Sequence, residues 1–120
     1  MPKIEKGSII KWIESFKLHC SNVVGMRNCP IVYVVDKREA NNLRPALATN
    51  QPHSEEYGSV ESDLVKLLSW DHPLFKNDNN NVFDRMERAL IGTPYASTIV
   101  RFRKARDGNK AMAAIAGQST

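Results

Sequence analysis

Residues 28–37 read NCPIVYVVDK, and this stretch decides between an all-helical fold and a mixed one. Pro30 interrupts any helix, and the run IVYVV at 31–35 is rich in β-branched side chains, which favour strands. A single strand leaves the backbone groups of both edges unpaired, and the chain contains no second strand-like run that could pair with it. We therefore predict an extended or single-turn segment that lies across a helical core.

The segment before this stretch carries the clearest helical pattern. Its apolar residues recur at the spacing of one helix face: Ile9, Ile13, Phe16, Cys20 and Val23 or Val24. Ser8 is a suitable N-cap and Gly25 a suitable C-terminal stop. The pattern predicts a helix over 8–24, with Trp12 at the edge of the apolar face, either completing the core or serving as an exposed anchor.

Residues 37–58 form the longest polar stretch of the chain. They contain Pro45, Pro52 and Gly58, a composition typical of a loop, and we expect at most a short turn at 46–48.

Helical periodicity returns from residue 59, with Trp70 expected in the core beside Leu64, Leu67 and Leu68. Residues 71–81 are expected to form a connector. The residues predicted to begin or end the helices are Pro73, Asp78 or Asn79, Gly92, Thr93 with Pro94, and Asp107.

We predict one all-α domain over 1–120, a small orthogonal bundle of four to five short helices with one long polar loop at about 37–58. The last helix buries few apolar groups, so its removal is expected to lower the melting temperature very little.

The positive charge of the chain is concentrated near the C-terminus. Residues 99–110 hold one acid and five basic residues, while the other 12 basic and 12 acidic residues cancel, so this short stretch carries the whole net charge of +4. We call residues 101–110 the basic segment; its cations are Arg101, Arg103, Lys104, Arg106 and Lys110. Its cations could contact nucleic-acid phosphates weakly. We expect no sequence preference, because Phe102 belongs to an apolar face with Tyr95 and Ile99 and is therefore not free to stack on bases. Alternatively, its cations stabilise a helix C-terminus on the protein surface and Asp107 caps the next helix.

Other classes of function find no support in the sequence. The pairs of closely spaced ligands that a zinc site needs are missing, since Cys20 and Cys29 are nine residues apart, and no nucleophile motif occurs. We therefore expect no enzyme, metal, cofactor or small-molecule substrate, and we interpret Asp84 and Glu87, which alternate with Arg85 and Arg88, as a salt-linked solvent face. No apolar run approaches the roughly 18–20 residues of a membrane span, and no signal core is present. We expect an intracellular protein, cytoplasmic or nuclear.

An ordered set of short motifs resembles the N-terminal Gag-like region of Copia-type long-terminal-repeat retrotransposons. The motifs are NVVGMRNCPIVYVV (22–35), HPLF with the Asn/Asp cluster after it (72–81), ALIGT (89–93), YA (95–96), the basic segment with DG at 107–108, and an Ala-rich helix ending in GQ (117–118). The similarity runs from about residue 12 to residue 118.

The resemblance implies an all-helical structural protein that associates with itself into particles around RNA and has no catalytic residues in this region. The chain lacks the zinc knuckle of that family, and it stops after a helix that in the family leads to further helices. We therefore expect an N-terminal fragment of a longer protein, truncated or domesticated. The alternative hypothesis is a small helical DNA- or RNA-binding module that uses the basic segment.

Overall fold

A computed structural model describes residues 9–50 and 60–118 of the chain. They form six α-helices: α1 (Ile9–Ser21), α2 (Leu43–Asn50), α3 (Val60–Leu67), α4 (Pro73–Leu90), α5 (Ala96–Ile99) and α6 (Gly108–Gln118). Four 3-10 helices join them: Met26–Asn28, Ile31–Val34, Lys37–Asn42 and Val100–Phe102. Within the described ranges the only β-type pairing is one isolated bridge between Val24 and Pro30. The predicted small all-α bundle is confirmed.

The stretch IVYVV forms a single helical turn rather than a strand, as predicted. Ile31–Val34 is a 3-10 helix whose four side chains are buried, and it packs against both α1 and α4. Its backbone groups form hydrogen bonds with separate partners elsewhere in the chain. Ile31 N donates to Val23 O at 3.0 Å, and Val34 O accepts from Asn109 Nδ2 at 2.7 Å. A buried turn with satisfied backbone groups needs no neighbouring strand.

The predicted loop at 37–58 is wrong for residues 37–50, where the chain forms the 3-10 helix Lys37–Asn42 and then α2. Leu43 and Leu47 lie four residues apart and are both buried, so one short apolar pair suffices to dock α2. Pro45 lies in its first turn, where a missing N–H costs little. Residues 51–58, like the proposed Ser8 cap, lie outside the described ranges.

Helix α4 begins at Pro73, not at the predicted cap Asp78 or Asn79. His72 is the N-cap, and its Nδ1 accepts from Leu74 N at 3.1 Å. The expected connector 71–81 is therefore largely helical, and Asp78 and Asn79 lie buried inside α4. The extra helix α2 brings the described helices to six, against the four to five that were predicted.

Two polar side chains of α4 hold distant segments. Asp78 Oδ2 accepts from the Tyr33 hydroxyl at 2.6 Å, and Asp78 Oδ1 accepts from Met26 N at 2.9 Å. Asn79 Oδ1 accepts from Asn109 N at 2.8 Å, while Asn79 Nδ2 donates to Asp107 Oδ1 at 3.1 Å. These bonds anchor the 25–34 region and the start of α6 to α4.

The start of α6 agrees with the prediction, since Asp107 Oδ1 accepts from Lys110 N at 3.0 Å as a helix cap does. Gly108 packs directly on α4, where a Cβ atom would lie 2.8 Å from both Asn79 O and Phe83 N. This close approach lets the buried side chains Ala111, Met112 and Ile115 of α6 reach the core.

The two tryptophans have different environments. Trp12 is buried and stacks on Phe16 with ring centroids 5.0 Å apart, which confirms the core interpretation. Trp70 was expected in the core but is more than half exposed, because α3 ends at Leu67 and the helical register is lost before residue 70. The Trp70 ring lies at the surface against Phe75, with centroids 5.0 Å apart.

Candidate nucleic-acid interface

The basic segment forms the surface joint between α5 and α6. All five of its cations are exposed, and the chain turns at Arg106, which has a φ of 50°. Below them Ile99 is buried and Tyr95 and Phe102 are partly buried against the core, so the predicted apolar face of this region is confirmed.

Two of the five cations are paired with α4. Arg103 Nε donates to Glu87 Oε2 at 2.6 Å, and Arg106 Nε donates to Asp84 Oδ1 at 3.1 Å, with a second contact from its Nη2 to Asp84 Oδ2. The hydrogen bond and the charge of Asp84 raise the pKa of Arg106. These pairs tie the segment to α4 and cancel part of its positive charge.

The other three cations have no carboxylate partner within the described ranges. Arg101 lies over the Phe102 ring, 5.4 Å from its centroid, and Arg101 Nε donates to Thr98 O at 3.4 Å. Lys104 and Lys110 are exposed. The segment thus presents three uncompensated charges rather than five.

The pairing also changes the interpretation of α4. Asp84 and Glu87 were expected to share one salt-linked face with Arg85 and Arg88, but both acids bind the basic segment instead. Arg85 and Arg88 line a cleft of about 220 Å³ together with His19 and Ala89. The sequence shows that the two arginines are three residues apart. It does not show that the neighbouring acids form their ion pairs with the basic segment and not with these arginines.

Buried acids hold the turn that follows α1. Arg27 and Asn28 adopt φ values of 57° and 60°, and the buried Asp63 carboxylate lies 3.5 Å from Arg27 Nε. An added Cβ at Gly25 would overlap Asp78 Oδ1. Burial raises the pKa of Asp78, although its hydrogen bonds from Tyr33 and Met26 N act in the opposite direction. Both buried carboxylates contact the turn directly.

The two thiols are core side chains. Cys20 and Cys29 are buried and free, and burial raises their pKa values to about 12 and about 11, so both stay protonated at neutral pH. Among the described residues no three His, Cys, Asp or Glu side chains are grouped to hold a metal ion. None of the helices described here has the length and apolar character to cross a membrane.

Helix α3 and the residues after it expose an apolar surface. Val65 is 67 % exposed, Leu68 46 % and Trp70 53 %, and we call these three residues the α3 patch. Leu64 and Leu67 turn toward the core instead, so only part of the predicted apolar face of this region is buried.

The motifs that resemble Copia-type Gag-like regions lie at joints of the fold. HPLF supplies the N-cap and first turn of α4, ALIGT contains the end of α4 with Gly92 at a φ of 80°, and DG begins α6. No protein-family model, curated protein or solved structure matches this chain significantly.

Proposed function

We propose that this chain is a structural, Gag-like protein that associates with itself through the α3 patch. The observation that carries the proposal is the exposure of Val65, Leu68 and Trp70 within six residues of the chain. The resemblance to Copia-type Gag-like regions supplies the expectation of self-association.

The α3 patch has the chemistry of an interface centre. Val65 lies on α3, and Leu68 directly follows the last residue of that helix, with Leu68 N donating to Leu64 O at 3.1 Å. Trp70 is supported by the Phe75 ring 5.0 Å away. Exposed, pre-positioned tryptophans dominate the energetics of many interfaces, and contiguous apolar patches mark interaction sites. A second copy presents the same patch, so two copies can bury it through a symmetric contact.

Sedimentation velocity over a range of protein concentrations tests the proposal. We expect concentration-dependent association of the full chain, and Trp70→Gln and Leu68→Gln should each weaken it by about tenfold or more. Leu18→Gln is the matched control for Leu68→Gln, because Leu18 is 67 % exposed on a different helix, α1. A chain that stays monomeric at every concentration contradicts the proposal, and so does equal weakening by Leu18→Gln.

The second candidate is nucleic-acid binding by the basic segment, favoured by the exposure of Arg101, Lys104 and Lys110 without carboxylate partners among the described residues. Two double variants that each remove two charges test it: Lys104→Gln/Lys110→Gln and Arg103→Gln/Arg106→Gln. If the segment binds single-stranded RNA, the lysine pair should reduce the slope of log K against log salt by about 1.4, since each lost phosphate contact contributes about 0.7. The arginine pair should reduce it less. Equal slopes for wild type and both variants would exclude this function.

A further inference from the structure

We propose that the cleft between the last turn of α1 and the C-terminal part of α4 binds a phosphate group through Arg85, Arg88 and His19. The cleft measures about 220 Å³, and its lining consists of these three side chains and Ala89. No carboxylate of the described residues is part of that lining. This site lies outside both the α3 patch and the basic segment, and it does not depend on either proposed function.

The two arginines are available because their neighbouring acids bind elsewhere. Glu87 forms an ion pair with Arg103 and Asp84 forms one with Arg106, so both carboxylates of this part of α4 are already paired. Arg85 and Arg88 have no ion pair with any described residue. Two uncompensated guanidinium groups on successive turns of one helix repel each other, and an anion between them removes that repulsion.

The guanidinium groups are held in place while keeping free donors. Arg85 Nε donates to Asn81 Oδ1 at 2.9 Å, and Arg85 Nη1 lies 3.2 Å from His19 Nε2. Arg88 Nε donates to Asp84 O at 3.4 Å, and its terminal NH₂ groups have no hydrogen-bond partner among the described residues. Such planar forks match the oxygen spacing of phosphate.

His19 is the third group of the site, and it can donate a hydrogen bond to the ligand once its ring is protonated. Arginine has no acceptor, so His19 Nε2 must accept from Arg85, and the ring is neutral without a ligand. Burial, and next the charge of Arg85, lower the pKa of His19. A bound phosphate adds negative charge beside the ring and favours protonation of His19 at Nε2. That nitrogen then no longer accepts from Arg85 and can donate to the anion instead.

The cations are not needed to complete the C-terminal end of α1. Leu18 O accepts from Ser21 Oγ at 2.6 Å and from Asn22 Nδ2 at 3.0 Å, and His19 O accepts from Asn22 N at 3.1 Å. Since residues 21–22 already satisfy these carbonyls, helix capping does not account for Arg85 and Arg88 in the cleft.

NMR titration of the full chain with inorganic pyrophosphate, observed at the His19 ring, tests the site. We expect a saturable shift at His19 and a higher His19 pKa at saturation, with no saturable shift at His72, which caps α4. Arg88→Gln should weaken binding by about tenfold, the usual effect of losing a charge-assisted hydrogen bond. Arg101→Gln removes the same charge from the basic segment and should change the affinity less than about twofold. Unchanged thermal unfolding of Arg88→Gln shows that the fold is intact.

A parallel titration with a short single-stranded RNA identifies the source of the phosphate. Saturation of the His19 shift by pyrophosphate supports a site for a free anion, and saturation by the RNA alone supports a site for a backbone phosphate, provided that Arg88→Gln weakens the response in either case. The proposal is overturned if neither probe shifts His19 saturably, or if Arg88→Gln and Arg101→Gln weaken binding equally.

Discussion

The Tyr33 hydroxyl donates a 2.6 Å hydrogen bond to Asp78 Oδ2, joining the 3-10 helix Ile31–Val34 to the second turn of α4. The other carboxylate oxygen accepts from Met26 N at 2.9 Å. One buried acid thus fixes both the turn after α1 and the segment that crosses the core. The cost of burying Asp78 is offset by two donors that reach it from the same part of the chain.

Removing the Tyr33 hydroxyl should destabilise the protein. Tyr33→Phe leaves Asp78 Oδ2 without its donor in a buried site, and we expect the free energy of unfolding to fall by about 1–3 kcal/mol in urea denaturation. Tyr95→Phe is the matched control, because Tyr95 is only partly buried, and it should cost less than about 0.5 kcal/mol. Equal effects of the two variants would contradict a special contribution of the Tyr33–Asp78 bond.

The same pair predicts a loss of stability at alkaline pH. Burial, the charge of Asp78 and the hydrogen bond to it all raise the pKa of Tyr33 far above its ordinary value of 10.0. Above that value the unfolded chain loses the phenol proton while the folded chain keeps it, so stability falls as pH rises, by up to about 1.4 kcal/mol per pH unit for this group. Below pH 10 the contribution is fully present.

Urea denaturation of wild type and Tyr33→Phe between pH 9 and pH 11 isolates this contribution, since other titrating groups are common to both proteins. We expect the stability difference between them to shrink as pH rises. A difference that stays constant over this range would show that Tyr33 ionises normally in the folded state.

The contact between Gly108 and α4 should not tolerate a side chain. A Cβ at this position would meet the backbone atoms Asn79 O and Phe83 N at 2.8 Å, and backbone cannot move aside as a flexible side chain can. We expect Gly108→Ala to cost about 1–3 kcal/mol of unfolding free energy. Gly117→Ala is the control, because open space surrounds the corresponding Cβ, and it should be neutral or stabilising by up to about 1 kcal/mol. If thermal unfolding gave similar melting temperatures for both variants, the close approach of α6 to α4 would be incorrect.

Helix α6 should contribute more to stability than its sequence indicates. The few apolar side chains of this helix led to the expectation that its removal would matter little, but Ala111, Met112 and Ile115 are almost completely buried, and Asn109 Nδ2 bonds to Val34 O at 2.7 Å. Ile115→Ala should therefore cost about 2–5 kcal/mol, whereas Ala113→Ser, at an exposed site, should stay within about 0.5 kcal/mol. We also expect removal of residues 109–120 to abolish cooperative unfolding. A melting temperature unchanged by that truncation would show that α6 contributes little to stability.

The helical class of the fold could be predicted because its signals act over a few residues. The apolar spacing in α1, the interruption at Pro30, the stop at Gly92 and the cap at Asp107 are local properties that the pattern located. The end of α1 was predicted too late, since the helix stops at Ser21 rather than at 24 and Val24 is exposed. The prediction failed where local composition and tertiary partners disagree. The cluster at 77–81 has the composition of a loop, yet it is helical because Asp78 and Asn79 find buried partners elsewhere in the chain.

The sequence by itself determined where the positive charge lies and that the chain is helical, because both depend on neighbouring residues. Only the tertiary structure decided which charges remain free. Arg106 and Arg103 find their acids 22 and 16 residues away on α4, and Tyr33 finds Asp78 across 45 residues. Pairing at such separations depends on how helices pack, so the cations of the basic segment are partly neutralised and the arginines of α4 are left facing an open cleft.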